Sequence, residues 1–295
     1  MQPTMITCDM RYWRIAPDPR LRGLVSCYWA VDSLPIDARV QALEPTEDLL
    51  IPDGLSEIVF NRGGAGFERW QLGEPDRKQH MGSSYLIGGR SRSVNTYAPE
   101  PLHLCGVKLD SRFLRAIIRV PLSEFRDATL SLKDLGDGQL LALEESLGNV
   151  RCVEAAIGLL DNFFMAAMRD MQRSRNAVDA LVAKIQQDHG ATPIMGWARS
   201  HGVDTRSLER SFCADVGMTP KQYARVVRFR RHYQALIAEG RSKKALSANL
   251  DGFFDQSHFN REFRHFTGVA PSTKLAGRMA HGMKVADHLL QVADR

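Results

Sequence analysis

Two segments near the C-terminal end of the chain repeat one pattern of residue types. Each copy has an apolar residue, Arg two positions later and Phe four positions later, followed by Gly and Pro at the same spacing. The first copy covers 208–220 and the second covers 259–271. Polar residues around both copies could bind the edges of nucleic-acid bases, because Arg pairs bidentately with guanine and Asn or Gln with adenine.

Short helices joined by tight turns would present these polar residues. Gly202 precedes the first copy and Gly252 precedes the second, and each glycine could turn one helix into the next. Asp204 or Thr205 would cap the following helix in the first unit, and Asp255 would do so in the second. A doubled helix–turn–helix predicts two helices held for two grooves of DNA.

The second helix of each unit separates apolar from polar residues, so we expect one face to be buried. The candidates for base or phosphate contact on the other face are Thr205, Arg206, Glu209, Arg210, Gln256, Ser257, His258, Asn260 and Arg261. A structural alternative remains open for three of them. Arg210 and Arg261 could bridge helices to an acidic neighbour, and Glu209 could pair with an arginine one turn away.

A long helix is predicted between the two units. Thr219 and Gln222 have the spacing of a capping box, and Gly240 would end the helix after Glu239. About 20 residues span roughly 30 Å, which is close to the ~34 Å between successive major-groove faces of B-DNA. A long core helix without that role would fit the same pattern. The expected phosphate contacts are Arg225, Arg228, Arg230, Arg241, Lys243 and Lys244.

Basic charge is concentrated in the part of the chain that carries the repeat. From Met171 to the end there are 20 Lys plus Arg against 11 Asp plus Glu, a net charge of +9. The remainder has 19 against 23, a net charge of −4, which gives the +5 of the whole chain. A phosphate backbone would be attracted to the basic part, although a merely basic surface would have the same charge.

The second copy lies in a longer segment, GFFDQSHFNREF at 252–263, followed by TGV and Pro271. This segment resembles the C-terminal signature of AraC/XylS-type transcriptional regulators, and 217–223 resembles the upstream half of the same family. The resemblance covers about 175–279 and implies base contact by Arg206, Glu209, Arg210, Gln256, Ser257, Asn260 and Arg261. Asp251 departs from the family pattern, which has an apolar residue before the glycine, so the packing of the predicted helix 243–250 is less defined.

The expected fold class is α+β, with a strand-rich domain over 1–170 and an all-α DNA-binding domain over 171–295. Strands are predicted at 25–31, 57–60, 84–89 and 102–109, and helices at 113–118 and 153–168. The N-terminal half resembles a domain often fused to such regulators, through motifs that include 52–54 and 106–109. That resemblance implies effector sensing or dimerisation. Asp53 and Glu57 are interpreted as a turn residue and a surface charge, not as an acid–base pair.

Several functional classes find no support in the sequence. The five cysteines are scattered and never form C-x-x-C, which favours a reducing compartment such as the cytoplasm. No apolar run approaches the roughly 18 residues of a membrane span, and no secretion signal is visible. We expect no cofactor and no metal, because His258 and His265 lack a third ligand at useful spacing. No serine-hydrolase, zinc-protease or Walker motif is present.

Three functions are therefore considered. The first is a transcriptional regulator bound to double-stranded DNA, with RNA polymerase and a second copy of the chain as open partners. The second adds a small effector bound by the N-terminal half, where Trp29, Phe60, Trp70 and Tyr85 could be pocket walls or core. The third is a DNA-binding protein with a fused enzyme, such as an alkyl-transfer domain, which would need an activated cysteine.

Overall fold

The computed structural model describes residues 4–7, 10–33, 48–98, 101–150, 152–171, 176–238, 252–253 and 255–271. The predicted phosphate contacts Arg241, Lys243 and Lys244 lie outside the described residues, as do the helix predicted at 243–250 and Asp251. No helix in the described ranges is long and apolar enough to cross a membrane.

The N-terminal half contains two antiparallel sheets. In the described ranges their strands are β1 Thr4–Thr7, β2 Met10–Ile15, β3 Val25–Ser33, β4 Asp48–Leu50, β5 Ser56–Asn61, β6 Phe67–Gln71, β7 Gln79–Met81, β8 Tyr85–Ile87, β9 Val94–Tyr97, β10 His103–Leu109 and β11 Thr129–Ser131. The larger sheet has the order β1-β2-β3-β10-β5-β8-β11, and the smaller has the order β4-β9-β6-β7. The four predicted strands correspond to β3, β5, β8 and β10.

Helices cover one face of the larger sheet. They are α1 Ser111–Ile118, α2 Leu132–Leu135, α3 Gly138–Asn149 and α4 Val153–Asp170. Tyr28, Ile58 and Phe60 of the sheet form one buried cluster with Phe113 of α1 and Phe164 of α4. Most of the buried side chains on this face are apolar, so their burial supplies hydrophobic stabilisation at about 25 cal/mol per Å² of apolar surface.

The smaller sheet covers the opposite face of the larger one. Trp29 and Tyr85 of the larger sheet share a buried cluster with Phe67 of β6 and Met81 of β7. Gly106 lies opposite Trp29 on the neighbouring strand. A Cβ atom at that glycine would lie 2.5 Å from the indole ring, so the glycine allows the ring to lie across β10. Charged side chains also enter this layer, as described below.

The C-terminal half is helical in its described part. Its helices are α5 Ala177–Gln187, α6 Ile194–Ser200, α7 Thr205–Val216, α8 Pro220–Ala238 and α9 Gln256–Thr267. Asn176 caps α5 through a capping box with Asp179. The predicted capping box of α8 is confirmed, because Thr219 and Gln222 exchange side chain-to-backbone hydrogen bonds of 3.0 and 3.2 Å. The α+β fold class is confirmed.

The two halves share buried residues. Leu49 and Ile51 from the N-terminal half belong to the same cluster as the apolar faces of α5–α9. Gly89 approaches the end of α7 so closely that an added Cβ atom would lie 2.4 Å from the Val216 carbonyl oxygen. Arg112 joins the halves by an ion pair of 2.7 Å with Asp179. The boundary between 170 and 171 stays a prediction, and packing extends across it.

The interpretation of Glu57 as a surface charge was wrong, whereas Asp53 is a turn residue as predicted, because its side chain accepts a hydrogen bond of 3.1 Å from the Leu55 amide. Both carboxylates are buried. Asp53 is 6% exposed and Glu57 is 8% exposed. The reason is that both carboxylates have cationic partners from distant parts of the chain, Lys108 and Arg90 respectively. The free-energy cost of burying a carboxylate is much lower when the carboxylate is paired with a cation than when it is isolated.

Phe229 in the middle of α8 gives a test of the helical core. It is 1% exposed and stacks on Phe266 at 4.4 Å between ring centroids. We expect Phe229→Ala to lower the free energy of unfolding by about 3–5 kcal/mol, because the truncation leaves a cavity. Met195→Ala is the control, since Met195 is 68% exposed and should change stability by less than about 0.5 kcal/mol. Equal urea midpoints for the two variants would contradict this packing.

Candidate nucleic-acid interface

The first candidate reading helix, α7, is held by a local cap and a buried face. Asp204 accepts a hydrogen bond of 2.7 Å from the Ser207 amide, so the predicted N-cap is confirmed. Gly202 turns the chain from α6 into α7 with a φ of 63°, in the left-handed region that favours glycine. Leu208 and Phe212 are buried against the rest of the helical core. This packing determines which side of α7 faces outward.

The structure places the predicted residues of α7 together on its outward side. Thr205, Arg206, Glu209 and Arg210 are all exposed. Their spacing of one, three and four residues puts them on one face of the helix. No ion pair involving these four residues occurs within the described part of the chain, so the alternative of structural bridging by Arg210 and Glu209 finds no support there.

The second candidate reading helix, α9, is built in the same way. Asp255 caps it by accepting a hydrogen bond of 2.6 Å from the His258 amide, as predicted. Phe259, Phe263 and Phe266 are buried on the inner side. The helix ends at Gly268, whose φ of 76° gives the left-handed C-cap.

The predicted residues of α9 differ in their exposure. Gln256, Ser257 and Arg261 are exposed, whereas His258 and Asn260 are half-buried. Gln256 donates a hydrogen bond of 3.1 Å to the Asn260 side-chain oxygen, so the two amides orient each other. This hydrogen bond from Gln256 fixes the orientation of the Asn260 amide group. An amide with a fixed orientation suits bidentate pairing with adenine.

The prediction did not include two basic residues of this surface. Arg264 is exposed on α9, one turn beyond Arg261 and Asn260. Lys221 is exposed in the first turn of α8. Helical spacing from Asn260 was the available signal for Arg264, because residues three and four apart share a face.

Arg225 of α8 is engaged inside the protein. Its Nε and Nη2 atoms donate hydrogen bonds of 2.9 and 2.8 Å to the two carboxylate oxygens of Glu262 on α9. Burial raises the pKa of the Glu262 carboxyl, but the hydrogen bonds and charge of Arg225 outweigh burial, so the pKa lies below its ordinary value. The pair therefore fixes α9 against α8.

Two more arginines of α8 contact backbone carbonyls. Arg228 donates a hydrogen bond of 2.7 Å to the carbonyl of Gly252 and one of 3.1 Å to the carbonyl of Gly190. Gly252 lies in the turn that precedes the second unit, and Gly190 lies in the turn that precedes the first. Arg230 donates a hydrogen bond of 3.3 Å to the carbonyl of Asp53 in the N-terminal half. The phosphate roles predicted for Arg225, Arg228 and Arg230 stay predictions, and these contacts show that each arginine also has a structural partner.

Three of the four described cysteines lack the environment of a nucleophile, and the fourth, Cys152, is exposed. Burial raises the pKa of the Cys27 thiol, and it raises the pKa of Cys105 to about 12. Burial also raises the pKa of Cys213. A reactive cysteine needs a lowered pKa, so these three do not support the alkyl-transfer alternative. Among the described residues, no group of three His, Cys, Asp or Glu could hold a metal ion.

The C-terminal half thus contains two capped helices, α7 and α9. Each has a buried inner face and a polar outer face, which is the arrangement of a DNA-binding protein with a doubled helix–turn–helix. Comparison with known families agrees. The family described as "Helix-turn-helix domain" matches residues 197–276. The family described as "Domain of unknown function (DUF6597)" matches residues 13–131.

Individual relatives are distant. The chain is 25% identical over 228 residues to the "Probable thc operon regulatory protein" of Rhodococcus erythropolis, covering 66% of this chain and 68% of that protein. A crystal structure of ToxT from Vibrio cholerae O395 aligns with a TM-score of 0.42 and 13% identity, over 77% of this chain and 92% of that one. The AraC-like transcriptional activator CuxR aligns with a TM-score of 0.25 and 14% identity, over 79% and 88%.

The helix–turn–helix match and the regulatory relative support an AraC/XylS-type transcriptional regulator, with a strand-rich N-terminal domain joined to the helix–turn–helix half. The resemblance noted in the sequence is therefore confirmed. The family is one of DNA-binding regulators of transcription, not of enzymes.

The Arg225–Glu262 pair predicts a pH-dependent contribution to stability. Because the folded-state pKa of Glu262 is depressed, its contribution is present above the ordinary pKa of 4.5 and is lost as the pH falls through the lower folded-state value. We expect Glu262→Gln to lower the free energy of unfolding by about 1–3 kcal/mol at pH 7. The difference from the wild type should shrink below about pH 4.5, measured by urea unfolding at several pH values.

Glu74→Gln is the matched control for this measurement. Glu74 pairs with Arg77 and Arg92 at 3.5 and 3.4 Å on an exposed surface. Such pairs contribute about 0–1 kcal/mol. If Glu262→Gln behaved like this control at pH 7, the pair would have no special role in holding α9.

Proposed function

We propose that this regulator reads two adjacent major grooves on one side of DNA, with α7 in the first and α9 in the second. The observation that carries the proposal is the pair of capped helices whose polar faces are exposed while their apolar faces pack on one core. Helix α8 has 19 residues and spans about 28 Å. That length suits a separation of about one helical turn of B-DNA.

Base reading is proposed for polar residues on the outer sides of these helices. Arg206 and Arg210 on α7, and Arg261 on α9, have the geometry to donate two hydrogen bonds to guanine. Asn260, held by Gln256 at 3.1 Å, is the candidate for adenine. Thr205, Glu209, Ser257 and His258 complete the predicted set of contacts.

Phosphate contacts would add affinity without sequence information. Arg225, Arg228, Arg230, Arg241, Lys243 and Lys244 remain the proposed group. To these we add Arg264 and Lys221, because both are exposed beside the reading helices. The chain would work in the cytoplasm, where its DNA is.

The N-terminal half would modulate DNA binding. It touches both units: Gly89 packs on the end of α7, and the Ser93 hydroxyl donates a hydrogen bond to the Phe266 carbonyl of α9. A change in this half could therefore shift the DNA-binding equilibrium. Binding of a small effector and dimerisation are both routes to such a change, and RNA polymerase is the proposed downstream partner.

Selection of bound sites from random duplexes tests the two-groove geometry. We expect the purified full chain to enrich a site with two conserved halves about 10 base pairs apart, because α8 sets their separation. The readout is the sequence profile of the selected duplexes. A single short half-site, or no enrichment at low salt, would overturn the proposal.

Alanine variants test the base contacts. Arg206→Ala and Arg261→Ala should each weaken binding to the selected site by about 1–3 kcal/mol and relax preference at one or two base pairs. The effects should fall in different halves of the site, as measured by gel-shift titration. Arg77→Ala is the control, because the side chain of Arg77 is 83% exposed in the N-terminal half and its loss changes the net charge equally. Unchanged affinity and base preference in both variants would refute the assignment.

A further inference from the structure

Two arginines in the layer between the sheets leave most of their donors unused. Arg69 of β6 and Arg90, which follows β8, are each 4% exposed. The Nε and Nη2 atoms of Arg69, and the Nε and Nη1 atoms of Arg90, have no hydrogen-bond partner within the described part of the chain. Buried donor atoms without an acceptor are unfavourable, so these unused atoms in a native protein call for a functional explanation.

Glu57 is the acid nearest to this pair, and it is already bound. One of its oxygens accepts a hydrogen bond of 2.7 Å from the Trp29 indole. The other lies 3.7 Å from Nη2 of Arg90. Burial lowers the pKa of the Arg69 guanidinium, and repulsion by the like charge of Arg90 also lowers it, so that the pKa is about 10. One carboxylate therefore faces two guanidinium groups.

The other acids nearby have partners of their own. Asp53 forms a buried ion pair with Lys108. Asp127 accepts hydrogen bonds of 2.6 and 2.7 Å from the amide and hydroxyl of Ser91. Because Ser91 is uncharged, Asp127 keeps a negative charge that acts on Arg69 through space, but it gives no hydrogen bond to the Nε and Nη2 atoms of Arg69. Among the described residues, these two atoms therefore lack an acceptor.

The unused edge of Arg69 has a defined chemical preference. Arg20, Arg112 and Arg225 each use the same two atoms, Nε and Nη2, to hold both oxygens of a carboxylate at 2.7–2.9 Å. This fork matches a planar carboxylate. In Arg69 the same fork is buried with no acceptor from the described chain.

The surroundings of the fork are aromatic. Phe67 lies two residues before Arg69 on the same face of β6 and packs on Tyr85 at 6.3 Å between ring centroids. Trp29 and Tyr12 belong to the same buried cluster. A ligand held here would need an apolar part beside its charge, which an inorganic anion does not have.

We propose that Arg69 and Arg90 bind the carboxylate of a small organic acid whose apolar part packs among the aromatic residues between the two sheets. This rests on the proposed function, because it names the chemical class of the effector that the N-terminal half would sense. The bound carboxylate supplies the acceptors that the Nε and Nη2 atoms of Arg69 lack, and the aromatic walls select acids with an apolar body.

The segment 89–93 connects this site to both DNA-reading helices. Arg90 is adjacent to Gly89, which packs on the end of α7. Ser93 at the other end of the segment hydrogen-bonds the last turn of α9. An acid that draws Arg90 toward Arg69 therefore acts on a segment whose two ends touch the two units. The effector would change DNA affinity by this route.

The first experiment uses the full chain and matched pairs of probes. The acids are phenylacetate, hexanoate and 1-naphthylacetate, each compared with its neutral amide and with inorganic phosphate. At least one acid should raise the melting temperature by about 3 °C or more at saturation, while its amide and phosphate should not. If no acid shifts the melting temperature, or if acid and amide act equally, the proposal is overturned. An equal shift by phosphate would overturn the organic part of the ligand assignment.

Variants of Arg69 separate a binding role from a structural one. Arg69→Lys keeps the charge but lacks the fork, so acid affinity should fall at least about tenfold. Arg69→Met removes a buried charge whose Nε and Nη2 atoms have no acceptor, so the melting temperature without ligand should stay equal or rise, as found for functional residues held at a cost in stability. Arg77→Met is the exposed control. A large drop in the melting temperature of Arg69→Met, or wild-type affinity in Arg69→Lys, would contradict the assignment.

A DNA-binding measurement distinguishes the two proposals. The acid that shifts the melting temperature should change the affinity of the wild-type chain for its selected duplex by at least about fivefold, which is typical of coupled sites. Failure of the wild type to bind any duplex would count against the proposed function alone, because the thermal shift reports acid binding independently. A thermal shift with unchanged DNA affinity would overturn the effector role of the acid.

Discussion

The side chains of one helix fix the relation between the two DNA-reading units. Tyr223 of α8 meets Phe212 of α7 at 5.7 Å, and Phe229 stacks on Phe266 of α9 at 4.4 Å. Between them, Arg228 holds the backbone turns that precede both units. Because these contacts all originate on one continuous rod, neither unit can change its orientation without disturbing the core of the other. The geometry offered to DNA is thus a property of packing.

The sequence was most informative where structure is local. The caps Asp204 and Asp255 and the capping box at Thr219 depend on residues two or three positions away, so their signals are complete in a short window. Helix α3 and strand β6 were not predicted. A strand without regular alternation lacks the mark of a half-buried strand, and in β6 the residues Phe67, Arg69 and Trp70 are all buried.

Partners that are distant in sequence explain the remaining differences in the site. Exposure of Arg206 and Arg261 follows from helical spacing, which the sequence shows. The structural partners of Arg225 and Arg230 come from positions 37 and 177 residues away, and no local pattern indicates them. The burial of Asp53 has the same origin, because its partner Lys108 is 55 residues away.

Leu49 and Ile51 give the helical half part of its interior, although they belong to the strand-rich half. Genes of multidomain proteins diversify when recombination joins a sensor from one ancestor to an output module from another. In this protein, recombination between the two halves would leave two cavities in the core of the helical half, unless the new N-terminal half had side chains of matching volume at these positions. Functional chimaeras of this protein should therefore descend from parents that resemble each other at these two positions, which links the ancestry of the halves.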